Sequence, residues 1–122
     1  MNMNKKIFVT IKSDFIGFHK WDSAPKEVEF LRNLHRHLFK VSCKIQVQEH
    51  DREIEFFIFQ KKLRHEYIPD LMAILDANEN KMSCEMMADT IAKLIMTDYP
   101  SRDVSVEVSE DGENSGIVEY TS

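Results

Sequence analysis

The sequence predicts an α+β chain, an antiparallel sheet with two helices packed on one face. Three observations carry that reading. Apolar and polar residues alternate with a period of two through Lys6–Phe18 and Leu38–Glu49. The period lengthens to that of a helix between Leu63 and Met96, then returns to two around Val104, Val106 and Val108. At 122 residues the chain forms one domain, residues 1–122, large enough for a single core.

The elements follow in order. Lys6–Phe18, rich in Ile, Phe, Val and Thr, reads as the first strand. Pro25, preceded by Ser23 and Ala24, looks like the start of a helical turn over Lys26–Leu31. In Leu38–Glu49 the side chains Phe39, Val41, Cys43, Ile45 and Val47 share one face, opposite Lys40, Ser42, Lys44 and Gln46. His50-Asp51 then supplies a tight turn, and Ile54–Phe59 is expected to return as the partner strand of a hairpin. Leu63, Tyr67, Ile68, Leu71 and Leu75 fit a helix that Pro69 interrupts or begins anew. A second helix runs from about Cys84 to Met96, with Ser83 as its N-cap. After the strand at Val104–Val108, residues 111–116 form a loop and Ile117–Thr121 closes the sheet.

Composition narrows the function. With 43% apolar and 30% charged residues the chain has an ordinary globular profile. No apolar run approaches the roughly 20 residues of a membrane span, and Met1-Asn2-Met3-Asn4-Lys5-Lys6 opens no signal-peptide pattern, so a cytoplasmic protein without a membrane partner is expected. Two isolated cysteines, Cys43 and Cys84, define no disulfide framework. A net charge of -5 speaks against a nucleic-acid partner, and the basic cluster Lys61-Lys62-Leu63-Arg64-His65 reads as a solvated helix face.

The most informative stretch is His35-Arg36-His37, with His19 sixteen residues earlier. On a strand, His35 and His37 point to the same side. A third imidazole from a neighbouring strand would close a three-nitrogen metal site with one position open to substrate or water. Spacing alone leaves two readings, a metal site and an ordinary pair of half-buried strand histidines. His50 and His65 read as solvated.

The motifs around these histidines carry a resemblance. Phe15-Ile16-Gly17-Phe18-His19 is similar to the Phe-x-Ala-x-His that opens 6-pyruvoyl- and 6-carboxy-tetrahydropterin synthases. Leu34-His35-Arg36-His37-Leu38-Phe39-Lys40-Val41 resembles their Leu-His-Gly-His-Asn-Tyr-x-Val. Glu55-Phe56, Ser83-Cys84-Glu85 with Ala88, Val106-x-Val108-x-Glu110, and Val118-Glu119-Tyr120 fall in the family's order across nearly the whole chain. The resemblance implies the tunnelling fold, in which sheets from several subunits join around a ring. It also implies a homo-oligomer, trimer or hexamer, with sites between subunits. It makes His19, His35 and His37 ligands of a zinc ion, and Glu110 the carboxylate that anchors a pterin ring by two parallel hydrogen bonds. Ser83 and Cys84 would line the ring pocket. The expected substrate is 7,8-dihydroneopterin triphosphate or a related pteridine, converted by a carbon–oxygen lyase reaction. The pathway, deazapurine (queuosine-type), biopterin or folate-like, stays open. So does a degenerate role, binding or sequestering a pterin, purine or nucleotide ligand without turnover.

The proton-handling residues depart from the family pattern. The thiol expected four residues before His35 is Leu31, and the Glu that replaces it in one branch, one residue later, is Arg32. The Asp-His pair aligns with Asp76-Ala77, leaving Asp76 as the one catalytic candidate of that set. Cys84, Glu27 and Glu29 are possible replacement bases. Cys43 is not, because six strand residues put it roughly 20 Å beyond His37.

Overall fold

The computed structural model describes residues 3–122. Met1 and Asn2, part of the segment read above for a signal peptide, lie outside the described residues. Four strands form one antiparallel sheet in the order β1-β2-β3-β4: β1 (Ile7–His19), β2 (His35–Val47), β3 (Val104–Glu110) and β4 (Ser115–Tyr120). A 3₁₀ segment, Lys26–Arg32, lies between β1 and β2. The helices α1 (Phe56–Lys62), α2 (Ile68–Ala77) and α3 (Cys84–Asp98) are all inserted between β2 and β3.

The helices cover one face of the sheet. α3 lies against β3 and β4, and α1 and α2 lie against β1. The alternation of β2 puts Phe39, Val41, Cys43, Ile45 and Val47 into that layer, fully or nearly buried, beside Val104, Val106 and Val108 of β3. Leu63, Leu71, Met87, Ile91 and Ile95 meet them from the helices. Each such side chain contributes about 1.5–3 kcal/mol by leaving water. The opposite face carries Lys40 and Lys44, and on β1 the exposed Ile16 and Phe18. Among the described residues no helix is long and apolar enough to cross a membrane.

One expected strand is absent. Ile54–Phe59 does not pair with β2; Ile54 is a buried loop residue and α1 starts at Phe56. The run Phe56-Phe57-Ile58-Phe59 has strand composition, and a short apolar run does not reveal its period. The deciding residue is Glu55, whose carboxylate accepts hydrogen bonds from the N–H groups of Phe57 (2.8 Å) and Ile58 (3.2 Å) and so caps a helix. Phe59, Leu63 and Tyr67 then fall on one buried side, while Phe56, Phe57 and Ile58 stay exposed. β2 pairs instead with β1 and β3.

Pro69 does begin a helix anew. A π-turn over Leu63–Tyr67 joins α1 to α2, and Pro69 sits in the first turn of α2. A wider turn there relieves the clash of the proline ring with the preceding turn and absorbs its missing N–H. Ser83 caps α3 as the sequence indicates, its hydroxyl accepting from the Met86 N–H at 3.2 Å.

Candidate metal centre

The antiparallel register of β1 and β2 builds the centre. It sets His19 directly opposite His35 and places Gly17 opposite His37. His19, His35 and His37 therefore lie on the core face of the sheet, at the end where β1 finishes and β2 begins. The three rings meet edge to face, with centroids 4.5 Å (His19–His35), 5.3 Å (His19–His37) and 5.0 Å (His35–His37) apart. Phe39 seals the inner side, stacked on Phe15 and edge-on to His19 at 5.1 Å. A Cβ at position 17 would meet Phe15 at 3.0 Å and Phe39 at 3.2 Å, so a glycine lets this aromatic floor close.

β3 adds a carboxylate. Its register puts Glu110 opposite Phe39, on the same face. One ligand atom from each of His19, His35, His37 and Glu110 lies within 4.8 Å of the others.

Hydrogen bonds select which ring nitrogens face the centre. His19 Nδ1 is 2.9 Å from the Met82 carbonyl, and His35 Nδ1 is 2.8 Å from the Asn33 carbonyl. His37 Nδ1 is 2.7 Å from Asp111 Oδ2. All three partners accept, so Nδ1 carries the hydrogen in each ring and Nε2 is left with a free lone pair. Outer partners of this kind orient metal-binding imidazoles. Burial, opposed in part by the Met82 hydrogen bond, lowers the pKa of His19, which favours the neutral, ligating form.

The donor set fits a divalent metal. His19 Nε2 is buried and makes no hydrogen bond, although Glu110 Oε2 is 2.9 Å away. The oxygen is close enough but lies off the line along which an Nε2–H would point. A buried nitrogen lone pair beside an anionic oxygen is unfavourable without a cation between them. Three imidazoles and a carboxylate are donors that zinc accepts.

A cavity of about 400 Å³ opens beside the cluster. It is lined by His19, His35 and Glu110, by Ser83 and Cys84 at the start of α3, and by Leu31. The structure thus brings six of the seven sequence-predicted site residues together. The seventh, Asp76, is exposed on the last turn of α2 and does not line the cavity. Glu27 and Glu29 are exposed on the 3₁₀ segment and do not line it either. Arg32 turns away, its Nε donating to the Ala24 carbonyl at 2.8 Å. Burial pushes the thiol of Cys43 up to about 12. Cys84 is pushed up to about 12 by burial and by the charges of Glu110 and Glu85, so no thiolate forms there near neutrality.

Asp111 is the participant that sequence reasoning missed. Its carboxylate accepts from His37 Nδ1 and, at 2.9 Å, from the Leu38 N–H. These two bonds hold its carboxyl below the usual range. The signal was its place one residue past Glu110 in a strand paired with β2, legible only once that register is known. The carbonyls of Met82 and Asn33 belong to the backbone and leave no trace in residue type.

An α+β chain with a four-stranded antiparallel sheet, helices on one face and histidines converging at the sheet's end defines a recognisable class of fold. No protein-family profile and no curated protein sequence matches the chain. Solved structures match it along nearly its whole length. A catalytic-residue mutant of Plasmodium vivax 6-pyruvoyltetrahydropterin synthase superposes with a TM-score of 0.65 at 16% identity, covering 98% of this chain and 100% of that one. The corresponding synthase of Plasmodium falciparum gives 0.58 at 14% identity, covering 98% and 100%. An uncharacterized protein of Wolinella succinogenes gives 0.61 at 16%, covering 94% and 98%. The chain therefore has the tunnelling fold of the 6-pyruvoyltetrahydropterin synthases, and at these identities the likeness is one of fold.

Proposed function

We propose that the protein is a divergent member of the 6-pyruvoyl- and 6-carboxy-tetrahydropterin synthase family. It holds zinc through His19, His35 and His37 and takes a pteridine, 7,8-dihydroneopterin triphosphate or a close relative, in the adjacent cavity. The observation that carries this reading is the set of three Nδ1 hydrogen bonds that leave the Nε2 atoms of three clustered imidazoles free beside that cavity. Zinc held there supplies a Lewis acid for side-chain oxygens of the ligand. Glu110 offers a carboxylate suited to the paired N–H groups of a pterin edge, and the Ser83 hydroxyl, which accepts from Met86, keeps its own hydrogen for the ligand.

A second reading, ligand retention without turnover, is favoured by the proton inventory. Leu31 stands on the cavity wall where a thiol is expected, Cys84 stays protonated, and Asp76 is outside the cavity. A missing general base costs a factor of roughly 10²–10⁴ in rate. The reading includes a homo-oligomer in the cytoplasm. Support for assembly comes from β1, a 13-residue edge strand whose outer face exposes Ile16 and Phe18.

Incubation of the zinc-loaded protein with 7,8-dihydroneopterin triphosphate, followed by product analysis, separates the two readings. Release of triphosphate that His35→Ala abolishes supports the synthase. Tight pteridine binding without product supports retention. Binding of neither zinc nor pteridine refutes both the synthase and the retention of a pteridine.

A further inference from the structure

Glu110 sits closer to the imidazoles than ring anchoring requires. Its Oε2 is 2.9 Å from His19 Nε2 and 3.7 Å from His37 Nε2. Four donors placed tetrahedrally at the 2.0–2.1 Å bond lengths of zinc stand about 3.3 Å from one another. The separations of Oε2 from His19 and His37 bracket that value, and all four ligand atoms lie within 4.8 Å of one another. A proton shared between His19 and Glu110 explains the contact less well, because Oε2 is off the Nε2–H direction and the nitrogen has no hydrogen-bond partner. A metal explains it directly, since two ligands of one ion approach each other without pointing at each other. The backbone fixes the arrangement: Glu110 is held opposite Phe39 by the β2–β3 register, and its N–H donates to the Asn114 carbonyl at 2.9 Å.

We infer that Glu110 is a fourth protein ligand, so that the resting metal site is closed by three imidazoles and one carboxylate. The inference rests on the zinc reading above and specifies the state of that site before a ligand enters. A catalytic zinc usually keeps a water in its fourth position; here the protein fills it. An oxygen ligand from the cavity would have to take the place of the Glu110 carboxylate. Glu110 has two roles that exclude each other in time: bound to the metal it holds no ring, and released it stands on the cavity wall.

The test uses cobalt(II) in place of zinc, because its visible absorption reports coordination number and ligand exchange. The wild-type protein is loaded with cobalt(II) and titrated with azide, and Glu110→Gln is treated in the same way. The expected result is a four-coordinate spectrum in the wild type that azide shifts only at concentrations far above those that shift the variant, because azide must compete with the carboxylate. In Glu110→Gln, azide should shift the bands, and metal affinity should fall by at least the roughly 10- to 100-fold associated with losing an outer partner. An azide shift of the wild-type bands that saturates at low azide, as expected of an open water position, overturns the inference while leaving the zinc reading intact. Failure of the wild type to bind cobalt(II) or zinc at all overturns both. The wild-type arm needs no variant to fold, so misfolding of Glu110→Gln does not rescue the inference.

Discussion

Asp111 is the residue whose change should separate metal binding from folding. Its carboxylate holds His37 Nδ1 at 2.7 Å and the Leu38 N–H at 2.9 Å, and its backbone is left-handed (φ 59°). Asn and Gly both tolerate that conformation, so Asp111→Asn and Asp111→Gly alter the carboxylate with little backbone strain. Loss of a hydrogen-bonding partner behind a metal-bound imidazole typically costs 10- to 100-fold in affinity, or about 1.4–2.7 kcal/mol. Asp111→Asn should lie near the lower figure, because an amide oxygen still accepts from His37, and Asp111→Gly near the upper. Folding of the metal-free chain should change much less, since the site is half exposed and water replaces the lost bonds. The assay is competition for zinc against a chromophoric chelator at neutral pH, with urea unfolding of the metal-free protein alongside. Unchanged zinc affinity in both variants would refute the claim that the His37–Asp111 bond orients a ligand.

Three further outcomes are expected. Gly116→Ala places a Cβ 2.7–2.8 Å from Glu85 Oε1, Cγ and backbone N, and should cost about 1–3 kcal/mol in urea unfolding by pushing the start of α3 off β4; no loss of stability would show that this contact has slack. Tyr67→Phe removes a 2.7 Å hydrogen bond to Asp98, worth about 1.5 kcal/mol, the low end for a charged acceptor because Asp98 faces solvent. That bond and Lys62 depress the Asp98 pKa in the folded chain, so their stabilisation is present above the unfolded carboxylate pKa and fades as pH falls through the folded value; the variant should flatten this acid-side decline, and identical pH profiles would contradict it. Free zinc at about 100 times its dissociation constant should stabilise the wild type by about 2.7 kcal/mol and His35→Ala by far less, as read from thermal or urea unfolding with and without chelator; equal stabilisation of both would detach the effect from this site.

The sheet was legible because its strands repeat with a period of two over long runs: β1 and β2 each span 13 residues, and their ends match the sequence reading within a few positions. The error at Ile54–Phe59 came from a run too short to show a period, settled by one capping carboxylate at Glu55. The histidines were legible as types and spacing, since His35 and His37 are two apart on a strand. Their convergence with Glu110 depends on two registers, His19 opposite His35 and Phe39 opposite Glu110, which no local pattern fixes. Asp111 was invisible for the same reason. Asp76 was nominated by resemblance alone, and its exposed place on α2 supplies no physical argument for proton transfer in the cavity.

His19, His35 and His37, three imidazoles on β1 and β2, are proposed to bind one metal ion. Elemental analysis of the purified chain, reconstituted with zinc and freed of excess by gel filtration, tests it most directly, with His35→Ala in parallel. About one zinc per chain in the wild type and a large loss in the variant is the predicted result. A wild-type chain that retains no zinc, or a variant that retains as much, would contradict the claim.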